Sequence, residues 1–373
     1  LSYQRSKEDE TWLEAARGEL VKLQQGDPEN LALWESFVQL SLGEFEKIYQ
    51  RLDVRFDLHR GESFYNPELP AVLERLTQAG LLTESDGAQV VDLEAEKLGV
   101  CIVRKRDGGF NYATTDLATV FSRVAEFSPS TILYVTDERQ QRHFQQFFTV
   151  CRKLGVACDL QHVWFGLMRL PDATFSTRQG NVIKLETLLD EAERRALDMV
   201  RQSSPHLPAE QQQEVARAVG IGALKYADLS QNPQSLVTFT WEKALALDGN
   251  SAPYLQYAHA RIRSVLDKHA AAYPAENVTA AVPAAALPPE QALGLKLLQF
   301  GEAVLAAQKH YRPNYLCDYL YELAQLYSSY HQSVPFLKAE DGVRETRMRL
   351  ITLVADTLQA GLGLLGIEAP PRI

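Results

Sequence analysis

Residues 165–184 read Phe165-Gly-Leu-Met-Arg-Leu-Pro-Asp-Ala-Thr-Phe-Ser-Thr-Arg-Gln-Gly-Asn-Val-Ile-Lys184, and they lie between two halves of the chain with different patterns. On the amino-terminal side, short apolar runs alternate with amphipathic stretches, which indicates an α/β protein. On the carboxyl-terminal side the periodicity is helical. Within the stretch, an apolar run ends at Gly166 and a polar loop follows at 174–181. A helix is predicted just after it, from Glu186. The chain is therefore predicted to be α/β followed by all-α.

The polar loop at 174–181 carries groups that can wrap a polyphosphate. Ser176 and Thr177 offer hydroxyl and backbone donors, Arg178 offers a fixed fork of N–H groups, and Gly180 lets the main chain come close to a ligand. A plain surface turn has the same composition. The loop alone does not decide between these two interpretations.

Length and composition narrow the class of protein. The 373 residues, 46% apolar and 23% charged, are enough for two or three globular domains. The net charge of −10 argues against non-specific coating of nucleic acid but leaves room for a local basic face. The apolar stretch 350–367 is interrupted by Asp356 and Gln359, so it predicts a packed helix rather than a membrane span.

The four cysteines, Cys101, Cys151, Cys158 and Cys317, form no Cys-x-x-Cys pair and no cluster with histidine. Neither a structural metal site nor a disulfide framework is expected, and the predicted location is the reducing cytoplasm.

The α/β half is predicted in some detail. Amphipathic helices are expected over 8–52 with a break at 26–28, then a short strand at Val54–Asp57, and a helix at 67–79. Strands are predicted at 98–103, at 131–135 and before Gly166, and helices from Tyr112 and after the 131–135 strand. This alternation indicates a parallel sheet that binds its ligand at the carboxyl ends of the strands.

No convincing strand appears after Glu186. Helices are predicted over the ranges 186–203, 208–230, 250–270, 289–309, 314–333 and 341–365. We expect two domains, a partial doubly wound α/β domain over 1–240 and a helical bundle over 241–373.

Four polar residues of the α/β half follow predicted strands or open predicted helices: Glu62, Tyr112, Asp116 and Gln140. Two carboxylates, a phenol and an amide would suit a planar ligand with many donors, such as a guanidinium. Three of them also have a simpler interpretation. Glu62 fits a turn, Asp116 complements a helix dipole, and Gln140 fits a cap. His143, which follows Gln140, fits a half-buried imidazole.

In the helical half, Tyr254, Tyr257 and Arg261 fall at spacings of three and four, on one face of a helix capped by Asn250 or Ser251. Aromatic rings beside a guanidinium suit unstacked RNA bases and phosphates. A packed tyrosine-rich face is the alternative.

Taken together, these stretches resemble the arginyl-tRNA synthetases, which are class I aminoacyl-tRNA synthetases. The resemblance covers nearly the whole chain, because the family's motifs occur in the family's order. They are Gly61-Glu-Ser63, Tyr112-x-Thr-x-Asp116, Arg139-Gln140-x-x-His143, Phe165-Gly166, Phe175-Ser-Thr-Arg-x-Gly180, Ala223-Leu-Lys-Tyr-Ala-Asp-Leu-Ser230 and Ser251-Ala-Pro-Tyr-x-Gln-Tyr-Ala-x-x-Arg261.

The resemblance implies a Rossmann-like catalytic domain, an α-helical anticodon-binding domain, and ATP-dependent attachment of L-arginine to its tRNA by a cytoplasmic monomer. It implies that Glu62, Tyr112, Asp116 and Gln140 bind arginine and that Mg²⁺ enters as Mg-ATP. The residues it implies for ATP are His143, Phe165, Gly166, Met168, Arg178 and Gly180. The loop residues Ser176, Thr177 and Arg178 are implied to be catalytic, and Tyr254, Tyr257 and Arg261 to bind tRNA.

Three features depart from the family. The lysines of the family's phosphate-binding loop are replaced by Thr174 and Thr177, the chain ends in Ile373 where relatives usually end in Met, and no His-x-Gly-His element occurs among the eight histidines. This element binds ATP, so we expect the chain alone to be catalytically incomplete and to be the later part of a longer enzyme. The alternatives are a non-catalytic tRNA-binding fragment or paralogue, and an unrelated nucleotidylyltransferase.

Overall fold

A computed structural model of the chain describes residues 5, 8–24, 26–166, 168–169, 184–276 and 287–373. The chain divides into two compact units, Leu1–Phe56 and Asp57–Ile373. Among the described helices, none combines the length and the apolarity that a membrane span requires.

The first unit is a helical hairpin of α1 (Glu10–Gln24) and α2 (Pro28–Arg51). The predicted break is confirmed, because the Asp27 carboxylate accepts a hydrogen bond from the Asn30 N–H and Pro28 opens α2. The strand predicted at Val54–Asp57 is wrong. These residues pair with no other strand of the described chain, and the Phe56 ring packs edge-on against Tyr49 at 4.8 Å instead.

The second unit begins with a 3₁₀ segment (Glu62–Glu68) and helix α3 (Leu69–Gln78). An antiparallel meander follows, formed by β1 (Leu82–Ser85), β2 (Ala88–Leu93) and β3 (Gly99–Arg104). Only β3 was predicted from the sequence. The missed hairpin turns at Asp86-Gly87, where both residues have positive φ (49° and 76°). An Asp-Gly pair is a recognised signal for this kind of turn.

The predicted parallel pairing is confirmed for the two later strands, but β3, which was predicted for the same sheet, lies in the antiparallel meander instead. After helix α4 (Tyr112–Phe127), strand β4 (Thr131–Asp137) leads through a 3₁₀ turn (Glu138–Gln140) into α5 (Gln141–Lys153) and β5 (Asp159–Phe165). β4 and β5 pair in parallel along their whole length. One apolar core joins α3, the meander, α4 and α5, and it includes Leu76, Val103, Leu117 and Phe147.

The rest of the unit is mainly helical. It consists of the short strand β6 (Met168–Arg169), the hairpin α6 (Leu185–Ser203) and α7 (Ala209–Leu229), the strand β7 (Val237–Thr238), helix α8 (Trp241–Ala244), and a bundle of α9 (Ala252–Ala272), α10 (Pro288–Leu298), α11 (Phe300–His310), α12 (Asn314–Ser333) and α13 (Val343–Leu364).

Two predictions for this half need correction. Strand β7 lies in a region predicted to be free of strands; it pairs in parallel with β6, and two residues are too few for a periodic signal. The single helix predicted at 289–309 is instead two helices that meet at Gln299. The apolar period continues across the junction, so the sequence pattern does not reveal it.

Candidate active site and candidate RNA-binding pocket

Asp116 and His143 meet at the carboxyl end of β4. Asp116 lies near the start of α4, and His143 in the first turn of α5. The His143 Nε2 atom lies 2.6 Å from Asp116 Oδ2, and each side chain is 30% exposed. The imidazole also packs against the rings of Phe144 and Phe147, at centroid distances of 5.6 and 5.3 Å. The structure thus joins a residue predicted to bind arginine to one predicted to bind ATP.

Side chains of α5 and of the residue before α4 donate hydrogen bonds to carbonyls along the free edge of β3. Gln146 of α5 donates to the carbonyls of Leu98 (2.8 Å) and Val100 (3.1 Å). Asn111, which precedes α4, donates to the carbonyl of Ile102 at 3.0 Å. Together with a hydrogen bond from Arg142 to the Leu98 carbonyl (3.3 Å), these contacts hold the meander against the helices that carry Asp116 and His143.

Tyr112 and Gln140 lie at the starts of the same two helices. Tyr112 is the first residue of α4 and its side chain is 68% exposed. Gln140 ends the turn after β4 and is also exposed. Asp137 organises this turn, since its carboxylate accepts from the backbone N–H of Arg139 (2.8 Å) and from its guanidinium (2.7 and 3.0 Å). These hydrogen bonds hold the pKa of Asp137 below its ordinary value.

Arg60, two residues before Glu62, is held at the opposite end of α4 from Asp116. Glu62 opens the 3₁₀ segment, and nearby Arg60 forms a two-pronged ion pair with Glu126 at 2.5 and 2.8 Å. The Arg60 guanidinium lowers the pKa of the Glu126 carboxyl. Glu126 lies ten residues after Asp116, about 15 Å along the helix axis. The Arg60–Glu126 ion pair is therefore distant from the Asp116–His143 pair.

The end of β5 packs against the segment that precedes β7. The Gly166 N–H donates to the Pro233 carbonyl at 2.7 Å, and a Cβ at Gly166 would lie 2.9 Å from the Ser235 carbonyl oxygen. Glycine is therefore required here. Phe165 is exposed, and Met168 packs in an apolar cluster around Phe239. The predicted loop residues Ser176, Thr177, Arg178 and Gly180 lie outside the described residues.

Two buried thiols lie near Asp116 but are not suited to nucleophilic chemistry. Burial raises the pKa of Cys101 to about 11 and that of Cys151 to about 12, and the nearby Asp116 charge acts in the same direction. Both therefore stay protonated at neutral pH. Among the described residues, no group of three or more His, Cys, Asp or Glu side chains is placed to hold a metal ion.

The three predicted RNA-binding residues of α9 do not all face outward. Tyr257 is 37% exposed, and the Arg261 guanidinium lies 4.7 Å over its ring and donates to its hydroxyl at 2.9 Å. Tyr254 instead faces the bundle, where its hydroxyl lies 3.2 Å from Ser328 Oγ and its ring packs edge-on against Tyr321. Ser251 caps the helix, as predicted.

Tyr257 and Arg261 line a cavity of about 500 Å³ that we call the α9 pocket. Its walls also include residues that the sequence analysis missed, among them His206, Lys268, Arg372 and Ile373. They come from the α6–α7 connection, the end of α9 and the last residues of the chain, so no local pattern could have grouped them. Three cationic side chains, the Tyr257 ring and the His206 imidazole line the cavity, together with the side-chain carboxylate of Asp267.

Comparison with known proteins covers both halves. Residues 2–241 match the family model of the catalytic domain of class I tRNA synthetases (R), and residues 255–373 match that of the DALR anticodon binding domain. The arginine–tRNA ligases of Fusobacterium nucleatum and Laribacter hongkongensis are 42% and 44% identical over 97% and 98% of this chain. The chain spans 64% and 65% of their length.

Solved structures agree. The arginyl-tRNA synthetases of Plasmodium falciparum and Thermus thermophilus superpose with TM-scores of 0.84 and 0.75, at 25% and 26% identity, over 98% and 95% of this chain and 63% and 69% of theirs. A methionyl-tRNA synthetase of Mycobacterium tuberculosis shares the fold, with a TM-score of 0.59 at 10% identity over 87% of this chain and 77% of its own.

Proposed function

Because the chain belongs to the class I arginyl-tRNA synthetase family, we propose that the protein attaches L-arginine to its tRNA in two steps. The arginine carboxylate attacks the α-phosphate of Mg-ATP, which gives arginyl-adenylate and pyrophosphate. A ribose hydroxyl at the 3′ end of the tRNA then takes the arginyl group and releases AMP. No covalent enzyme intermediate is needed, so catalysis rests on positioning and charge stabilisation.

The observation that carries this proposal is the orientation of Asp116. Its Oδ2 atom is held 2.6 Å from His143 Nε2, which leaves Oδ1 for an N–H group of the substrate guanidinium. Tyr112 and Gln140 add a phenol and an amide at the starts of the same two helices. Glu62 is the second carboxylate of the proposed arginine site, and we expect it to contribute less, because Arg60 beside it is held at the far end of α4 from Asp116.

The proposed nucleotide site lies after β5. Phe165, Gly166 and Met168 lead into the loop whose Ser176, Thr177, Arg178 and Gly180 would hold the phosphates. The close backbone contact at Gly166 supports this assignment, because it fixes where the chain enters the loop. In this proposal Arg178 stabilises the charge that develops on the leaving pyrophosphate.

The proposed tRNA site is the α9 pocket. Its exposed tyrosine and its three cationic side chains support stacking on an unpaired base and contacts to phosphates. Tyr254 would support this site from the bundle side rather than contact RNA. A tRNA substrate and cysteines that are all free suit a cytoplasmic enzyme, which we propose acts as a monomer.

The test is the Asp116→Asn substitution in the full-length protein that the gene encodes. Loss of this carboxylate leaves a guanidinium partly unpaired, at a cost of about 2–5 kcal/mol. The KM for arginine should therefore rise about 30-fold to several thousand-fold. The measurement is arginine-dependent exchange of pyrophosphate into ATP with tRNA present, and the KM for ATP should stay near its wild-type value.

Glu62→Gln is the matched carboxylate variant, and it should raise the KM for arginine less than Asp116→Asn does. Unchanged arginine kinetics in Asp116→Asn would mean that Asp116 only complements the helix dipole. A wild-type protein that binds tRNA but supports no exchange would favour the non-catalytic alternative.

A further inference from the structure

The last residues of the chain run back across α7 and α9. We call residues 366–373 the strap. The carbonyls of alternate strap residues each accept a hydrogen bond from a side chain of α7 or α9: Gly366 from Lys225 (2.5 Å), Glu368 from Gln256 (2.7 Å) and Pro370 from His259 (3.1 Å). These three side chains thus supply the hydrogen bonds to the strap carbonyls that a neighbouring strand supplies in a sheet.

Gln256 joins three parts of the unit at one point. Its side chain is fully buried, and the same amide nitrogen also donates to the Ala218 carbonyl of α7 at 3.1 Å. A Cβ at Gly222 would lie 2.9 Å from this amide and 3.1 Å from Ile367 of the strap. α7, α9 and the strap are therefore in direct contact here, and little other than the amide fits between them.

His259 is held in one tautomer. It is 1% exposed, and its Nδ1 atom donates to the Pro370 carbonyl, so its Nε2 atom must accept the hydrogen bond from Arg263 at 3.2 Å. Arg263 in turn donates to Asp356 (2.9 Å) and Gln359 (3.1 Å) of α13. This chain of hydrogen bonds fixes the direction of the imidazole and, through it, the position of Pro370.

The strap ends in the wall of the α9 pocket. Pro371, Arg372 and Ile373 line the cavity, and Ile373 also packs against the apolar cluster of α6 and α7 that contains Val200. Arg372 lies 3.6 Å from Asp267 of α9. One wall of the pocket is therefore only as well placed as the strap.

We infer that Gln256 and His259 are positioning residues for tRNA: they hold the strap so that residues 371–373 form one wall of the α9 pocket, and neither residue contacts the RNA. This inference rests on the proposed function, because it takes the α9 pocket as the tRNA site. Through Ile373 the strap also connects the pocket to the α6–α7 hairpin. This hairpin begins directly after the proposed nucleotide loop.

The test is a titration of the gene-encoded protein with tRNA for arginine, alongside thermal melts. His259→Leu should weaken tRNA binding about tenfold or more, which corresponds to at least about 1.4 kcal/mol. His259→Gln keeps an N–H donor for Pro370 and should restore most of the affinity.

The matched control is His269→Leu, in the same helix. His269 is 4% exposed and its Nε2 atom lies 2.7 Å from Glu276, away from the strap. This variant should lower the melting temperature and leave tRNA affinity unchanged. Deletion of residues 371–373 should weaken tRNA binding as much as His259→Leu does, and it serves as the test if His259→Leu does not fold.

The outcomes separate this inference from the proposed function. Wild-type affinity in both His259→Leu and the deletion variant would overturn the inference alone. Equal loss of affinity in His259→Leu and His269→Leu would also overturn it, since buried histidines would then act only through stability. Absence of tRNA binding by the wild-type protein would overturn the proposed function, and the inference with it.

Discussion

His143→Ala separates the two possible roles of this imidazole. In the structure its Nε2 atom donates to a carboxylate oxygen of Asp116 at 2.6 Å, with both side chains 30% exposed. A hydrogen bond to a charged group contributes about 1.5–3 kcal/mol, and partial exposure to water lowers this to about 1–2 kcal/mol. If the imidazole orients Asp116 for the guanidinium, the KM for arginine should rise roughly 5–30-fold, with the KM for ATP nearly unchanged.

The assay is tRNA-dependent pyrophosphate exchange by the gene-encoded protein, with arginine varied at saturating ATP and ATP varied at saturating arginine. His162→Ala is the matched control. The His162 ring stacks on Phe144 at 4.2 Å and its Nε2 atom lies 2.8 Å from Thr136 Oγ1, so it shares the aromatic layer of His143 and has a different hydrogen-bond partner. This control should change stability more than it changes either KM.

Two results would refute the reasoning. A rise in the KM for ATP with unchanged arginine kinetics would mean that His143 serves the nucleotide, as the sequence resemblance implies. A lower KM for arginine in His143→Ala would mean that the imidazole competes with the substrate for Asp116 and does not orient it.

The remaining predictions concern the helical half. Tyr257→Ala should weaken tRNA binding by roughly 1–3 kcal/mol if a base stacks on the ring, in a titration that also shows steep weakening with salt; a shifted melting temperature with unchanged affinity would remove Tyr257 from the RNA site. Burial lowers the pKa of His259, which lies between Arg263 and Asp356. Below the ordinary histidine pKa of about 6.5, the unfolded chain therefore binds more protons than the folded chain does. The free energy of unfolding should therefore fall as pH decreases through this value, less steeply in His259→Gln, in denaturant titrations; identical pH profiles would contradict this.

The secondary structure that the sequence predicts well is the part fixed by local periodicity. Helices α4, α5 and α12 each bury an apolar face, β4 is an apolar run between clear breaks, and β5 ends in the apolar run Val-Trp-Phe before Gly166. β1 and β2 were missed because the residues of β1, Leu-Thr-Glu-Ser, do not alternate between apolar and polar. Their pairing depends on the positive φ angles at Asp86-Gly87, which a search for periodicity does not detect.

The candidate site likewise contains parts that the sequence predicts and parts that only the fold shows. Residue types and spacing pointed to Asp116 and His143 separately, but only the fold brings Nε2 within 2.6 Å of Oδ2. Spacing also placed Tyr254 with Tyr257 on one helix face, although a residue three positions away can turn toward the core, as Tyr254 does. Periodicity identifies a face of a helix and leaves open which edge of that face is covered.

The strap marks a firmer limit of sequence analysis. Its anchors are backbone carbonyls, which every residue possesses, so the acceptors at 366, 368 and 370 leave no mark in the sequence. The donors are visible as residues, yet Gln256 and His259 read as the polar side of an amphipathic helix until their burial is known. The NH₂ group of a fully buried amide must find acceptors nearby, and here the strap and α7 supply them. Burial of a polar side chain on a helix therefore carries the information that the sequence lacks: something must cover it, and in this chain the cover is the strap, whose last residues line the α9 pocket.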